Sequence, residues 1–191
     1  LKELSEYRDL FYFLAWRNIK VLYAQTILGF LWALLVPAIQ VVIFTIVFGK
    51  VANVGTDGVP YILFSTVAII PWTFMSQAMQ QSSMSLVDNQ NLLGKVYFPR
   101  ILFPITPICS RLLDFAISLI LLLGVLIYYR VYPSFSLLLL PLFLLQMFLV
   151  PAALGMLLSA LAIRFRDVKI AMQFVLRMLI YSAPIVYTAT D

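Results

Sequence analysis

The residues able to do chemistry are few and unevenly placed. Arg111 and Asp114 stand three apart in a stretch otherwise free of charge, a spacing that puts them on one helical face where they can pair. Arg177 stands alone some ten residues into the last apolar segment, roughly 15 Å along a helix axis. A guanidinium at that depth faces a bundle interior or water and can meet a phosphate-bearing substrate, or it snorkels to the surface. Gln77, Gln80 and Gln81, with Ser65, Thr66 and Ser76, bring hydrogen-bonding groups into an apolar run. Two roles compete for them: a stripe facing a channel, and bonds between helices. Asp114 is the one acid inside an apolar segment, so paired carboxylates for acid–base work are missing. The absence of histidine excludes imidazole catalysis and the common histidine metal sites. The lone Cys109 leaves no intrachain disulfide. Such a set suits binding and positioning better than reaction.

The elements that hold these groups are set by hydrophobicity. Only 11% of residues are charged and mean hydropathy is +1.02, far from a soluble globular chain. Uncharged stretches run from Val21 to Gly49, Gly58 to Val87 and Val131 to Ile163, each longer than the ~20 residues that cross a bilayer core. VVIFTIVFG and SLILLLGVLI do not alternate as barrel strands would. The expected class is all-α, a polytopic membrane helical bundle with an N-terminal amphipathic interface helix. Five spans are visible, at about 27–48, 59–82, 107–129, 137–163 and 170–189, and a sixth is expected beyond residue 191. No signal peptide is expected, because the first 20 residues carry charge throughout and no apolar core.

Residues 1–26 form a first unit and 27–191 the transmembrane unit. Leu4, Tyr7, Phe11 and Leu14 share one helical face, away from Lys2, Glu3, Glu6 and Asp9. With Phe11, Tyr12, Phe13 and Trp16 clustered beside them, this suits a helix lying in the membrane interface better than a soluble leader. Counting lysine and arginine by loop puts the N-terminus in the cytoplasm. One side holds Lys2, Arg8, Arg17, Lys20, Lys95, Arg100, Arg111, Arg164, Arg166 and Lys169, and the other only Lys50 and Arg130. The net charge of +5 therefore reads as topology, not as nucleic-acid binding. Tyr61, Tyr128, Tyr129, Tyr132, Tyr181 and Tyr187 fall near the outer surface. There they form an interfacial belt, or line a channel where ring faces pack on sugars.

The segment 83–105 is the least like its surroundings. In SLVDNQNLLGKVYFPRILFPI the polar run Asp88–Asn91 favours a helix start. Leu92, Leu93, Val96 and Phe98 then give an apolar patch beside Lys95 and Arg100, and Pro99 and Pro104 end it and re-aim the chain. This is either a docking element for a groove on a partner or a connecting loop anchored by its basic residues.

Four features occur in order along the chain: LG-x-x-W-x-x-x-x-P (Leu28, Gly29, Trp32, Pro37), PYILFSTVAIIPW from Pro60, the FPR triplet (Phe98, Pro99, Arg100) and the RD pair (Arg166, Asp167). In this register the sequence resembles the permease subunit of type-2 ABC exporters, most of all the branch that exports O-antigen, capsule and teichoic-acid polysaccharides. The resemblance implies six spans, an N-terminal gate helix, a coupling helix between spans two and three, and re-entrant helices before the last span, a part beyond residue 191. It implies export of a lipid-linked polysaccharide across the inner membrane by a homodimer with two ATP-binding subunits. Asn91, Leu92, Leu93, Lys95, Phe98, Pro99 and Arg100 would then couple to the ATP-binding subunit. Arg166 and Asp167 would brace the inner loop. Gln77, Gln80, Arg177, Tyr61 and Tyr187 are the candidates for the channel. The chain has no G-x-x-x-x-G-K-[ST] loop, so it is expected to bind no cofactor, with ATP and Mg held by the partner. Competing readings are a small-molecule exporter of the same superfamily, a membrane-embedded lipid–sugar enzyme and a structural anchor.

Overall fold

The computed structural model describes residues 7–24, 26–52, 54–56, 58–90, 99–131 and 138–182. All regular structure among them is helical, in six helices: α1 (Arg8–Tyr23), α2 (Leu31–Phe44), α3 (Tyr61–Asp88), α4 (Leu102–Tyr128), α5 (Leu140–Arg164) and α6 (Val168–Ser182). A π-helical turn, Thr45–Val51, extends α2. Four helices are long and apolar enough to cross a membrane: α2 with its π turn, α3, α4 and α5. This is the polytopic helical bundle that the composition predicts. α6 is described for 15 residues, and the later part of the expected span at 170–189 lies outside the described residues.

α3 is the axis of the bundle, packed against α2, α4, α5 and α6, while α1 lies on α4. Its apolar positions at Ile70, Phe74 and Ala78 repeat every four residues and meet Ile108 and Phe115 of α4 and Met147 and Ala152 of α5. Phe74 and Phe115 pack as tilted rings 5.2 Å apart. The opposite flank sets Ile69 against Val41 of α2, and Met79 against Met172 and Leu176 of α6.

Within lipid, apolar surface gives helices little reason to associate, so close approach and hydrogen bonds take over. Ser65, Ser82, Ser83, Ser110 and Ser159 are buried, and Ser82 donates to the Pro104 carbonyl at 2.7 Å. Gly155 lets α5 come so near α3 that a methyl group there would meet the Ser82 Cβ at 2.5 Å. Prolines are absorbed the same way. Pro37 has no N–H to give the Ala33 carbonyl, and Ser118 of α4 donates to that carbonyl at 2.9 Å instead.

Two helix ends differ from expectation. α3 runs six residues past 82, so Asp88–Asn89 closes a helix where a helix start is predicted. The Asn89 amide donates to the Ser85 carbonyl at 2.7 Å, satisfying one of the carbonyls orphaned at that end. α4 begins at Leu102, five residues before 107, and takes Pro104 into its first turn, where proline costs no hydrogen bond. Pro104 therefore does not break the chain. Gly29 explains the LG pair: its φ of +49° makes the turn into α2, a conformation open to glycine at little cost.

Candidate functional site

Two polar cavities flank α3. The first, of about 210 Å³, lies between α1, α2, α3 and α4, with Tyr23, Trp32, Thr73, Gln77 and Arg111 on its wall. Arg111 pairs with Asp114 at 2.6 Å, the two side chains being 17% and 14% exposed, and its Nε donates to Gln81 Oε1 at 3.0 Å. The Tyr23 hydroxyl donates to the other Asp114 oxygen. The predicted pair is thus a four-residue network that joins the end of α1 to α3 and α4. Periodicity within one helix cannot find the Tyr23 and Gln81 contributions, because both come from other helices.

The second is a groove of about 440 Å³ between α2, α3 and α6. Gln40 of α2, Trp72, Ser76 and Gln80 of α3, and Gln173, Arg177 and Tyr181 of α6 face it. The helix turn makes each set: Trp72, Ser76 and Gln80 follow at four-residue intervals, as do Gln173, Arg177 and Tyr181. Two predicted channel residues, Gln80 and Arg177, are therefore brought together. Gln77 falls on the other flank, in the first cavity. It also joins Gln80, Gln81, Asp88 and Arg111 around a third polar pocket of about 280 Å³. Tyr61 is 9% exposed and packs on Gly49, whose missing Cβ would sit 3.0 Å from the ring; it lines neither cavity. Tyr187 lies outside the described residues. Gln40 and Gln173 escaped the sequence reading, although Gln173 stands one turn before Arg177 on the same face.

At the end of the bundle where α3 closes and α4 opens, Arg17 of α1 donates to Asn89 Oδ1 at 2.7 Å, and Ser110 of α4 donates to the Ala15 carbonyl at 3.2 Å. α1 is held there with Leu14 buried and Tyr12, Phe13 and Trp16 exposed; Leu4 lies outside the described residues. Of the predicted coupling residues, Pro99 is half-buried and Arg100 exposed. Asn91, Leu92, Leu93, Lys95 and Phe98 lie outside the described residues. Arg166 and Asp167 are exposed at the turn between α5 and α6. Neither side chain has a partner among the described residues, so the inner-loop brace is not seen in them. No cluster of metal-ligating side chains occurs among the described residues.

Comparison with known proteins adds sequence kinship to this geometry. The model of the family described as ABC-2 type transporter matches residues 9–191. The chain is 28% identical over 187 residues to the O-antigen export system permease protein RfbA of Myxococcus xanthus, covering 98% of this chain and 71% of that protein. It is 24% identical over 182 residues to a protein of the same name from Klebsiella pneumoniae, covering 95% and 70%.

Proposed function

We propose, because this chain belongs to the ABC-2 type transporter family, that it is the membrane permease of an ATP-driven exporter of lipid-linked polysaccharide. Two copies form the path, and two ATP-binding subunits on the cytoplasmic side supply ATP, Mg and energy. The names of the relatives support the choice of cargo. The observation that carries it is the groove of α2, α3 and α6: glutamine amides, a serine, Trp72 and Tyr181 around the Arg177 guanidinium. Amides bond sugar hydroxyls, ring faces pack on sugar C–H faces, and nothing there reacts.

In this reading the N-terminus lies in the cytoplasm of a cell whose inner membrane holds the bundle, and α1 rests in the interface with its exposed aromatic rings in lipid. Residues 91–100 press on the ATP-binding subunit. Leu92, Leu93 and Phe98 supply apolar contacts, Asn91 and Pro99 shape the segment, and Lys95 and Arg100 meet acidic or phosphate groups. The ties from Arg17 to Asn89 and from Ser82 to Pro104 join both ends of that segment to the bundle.

The test is the ATPase rate of a candidate ATP-binding subunit in membranes, with and without this chain. Stimulation by the wild type, lost in Leu93→Asp and Arg100→Ala variants that still insert, is the expected result. Equal rates for wild type and both variants would overturn the coupling role.

A further inference from the structure

We propose that Arg177 is the oxyanion contact of the substrate path, a site for the phosphate or diphosphate group that travels with a lipid-linked cargo. The inference deepens the export reading and rests on it.

The argument begins with a contrast between two arginines. Arg111 and Arg177 both sit well inside helices, the latter about 14 Å along α6 from Val168. Arg111 is neutralised by Asp114 and fixed by Gln81. Arg177 has no ion-pair or hydrogen-bond partner among the described residues, and none of the acids described faces it. Asp9 pairs with Arg8, Asp114 is taken by Arg111 and Tyr23, Asp88 lines a separate pocket, and Asp167 stands in the turn before α6. With the fifth span expected at about 170–189, Arg177 is a cation inside a span without a counter-charge, which is costly, and such residues mark substrate or ion pathways.

The walls around Arg177 are set up to give hydrogen bonds to an anion. Gln40 Oε1 accepts from Thr73 at 3.1 Å, which leaves the Gln40 NH₂ as the end for the groove. Gln80 and Gln173 bring further amides. A carboxylate wall would mark a cation site, and among the described residues the groove has none. A planar guanidinium presents paired N–H donors that match two oxygens of one phosphate, so the fit is to an oxyanion rather than to a neutral hydroxyl. That oxyanion has two sources, a phosphate on the lipid carrier or a carboxylate on an acidic sugar.

Binding to the full chain in phosphatidylcholine nanodiscs separates them. The probes are farnesyl diphosphate, farnesol and a glucuronate oligosaccharide. Farnesyl diphosphate is expected to bind the wild type and to lose at least tenfold in affinity in Arg177→Gln, less in Arg177→Lys, with farnesol unchanged across all three. Dependence of the glucuronate on Arg177 instead would keep the oxyanion site and assign it to the glycan. Equal binding of both anions by wild type and Arg177→Gln would overturn the proposal. Arg177 is exposed, so an unchanged unfolding midpoint is expected for both variants. ATPase stimulation measured on the same samples separates the two failures. Stimulation without Arg177-dependent binding sinks this site alone, and binding without stimulation sinks the export reading alone.

Discussion

Arg17 and Asn89, 72 residues apart, meet at 2.7 Å where α1 crosses the closing turn of α3. The contact does two things at once. It orients the Asn89 amide toward the Ser85 carbonyl, capping α3, and it pins α1 to the helix that leads into residues 91–98. At its other end α1 is pinned by Tyr23 to Asp114. The N-terminal helix is thus a strap across the two helices that flank the segment proposed to meet the ATP-binding subunit, and it must follow when they move.

Loosening that strap is measurable. A hydrogen bond from a charged donor is worth about 1.5 kcal/mol, so in Arg17→Ala the amides of Phe11–Lys20 are expected to exchange about tenfold faster. Protection unchanged from wild type would show that Arg17 does not hold α1.

The network at Asp114 predicts an order of stabilities. Asp114→Ala strips a half-buried arginine of its partner and is expected to cost about 2 kcal/mol, somewhat below the value for a fully buried pair. Arg111→Met combined with Asp114→Ala should unfold at a higher temperature than Asp114→Ala alone, because no unpaired charge is left behind. Tyr23→Phe keeps the ion pair and should cost least of the three. Thermal unfolding in detergent reads the series, and a double variant weaker than the single would contradict it.

Where α5 meets α3, Gly155→Ala drives a methyl group into Ser82. Overpacking of this kind costs about 2 kcal/mol, seen as a drop of several degrees in the unfolding midpoint. Adding Ser82→Gly removes the obstructing Cβ and is expected to restore at least half of the loss. A Gly155→Ala protein as stable as wild type would mean that the helices are farther apart than the structure has them.

Ser118 and Pro37 should be coupled. Ser118→Ala is expected to cost about 1 kcal/mol, since the Ala33 carbonyl loses its donor. In a Pro37→Ala background the helix regains its own N–H at that point, and the cost of Ser118→Ala should shrink. Additive effects in the double variant would exclude the rescue of one residue by the other.

Topology can be tested through the single native cysteine. In a Cys109→Ala background, cysteines at Thr56 and Val131 are expected to react with an impermeant maleimide in spheroplasts, and cysteines at Arg100 and Arg166 only after lysis. The opposite pattern would invert the orientation.

Much of this architecture was legible in the residues because hydropathy is a one-dimensional property. Three of the four long helices, α2, α3 and α5, sit where the uncharged runs sit, and α4 sits in an apolar run broken only by Arg111 and Asp114. What stayed hidden depends on partners. Pro104 reads as a breaker until it is known to stand in a first turn. Asn89 reads as an N-cap as easily as a C-cap, because its side chain serves either end; only Ser85 and Arg17 decide. Tyr61 reads as an interfacial tyrosine, and only the approach of Gly49 buries it. Arg177 was marked by its own depth, yet its neighbours Gln40 and Trp72 arrive from helices more than a hundred positions earlier.

The π turn at Thr45–Val51 carries one more consequence. Its Ala52 amide reaches back five residues to the Val47 carbonyl at 2.9 Å, one further than an α-helix allows. The far end of the first span therefore holds a spare residue in its winding. Sliding that extra residue by one turn re-aims the side chains it passes by about 100° without lengthening the crossing. The end near α1 is clamped by Arg17 and Tyr23, so the molecule is stiff at one rim and can be re-threaded at the other.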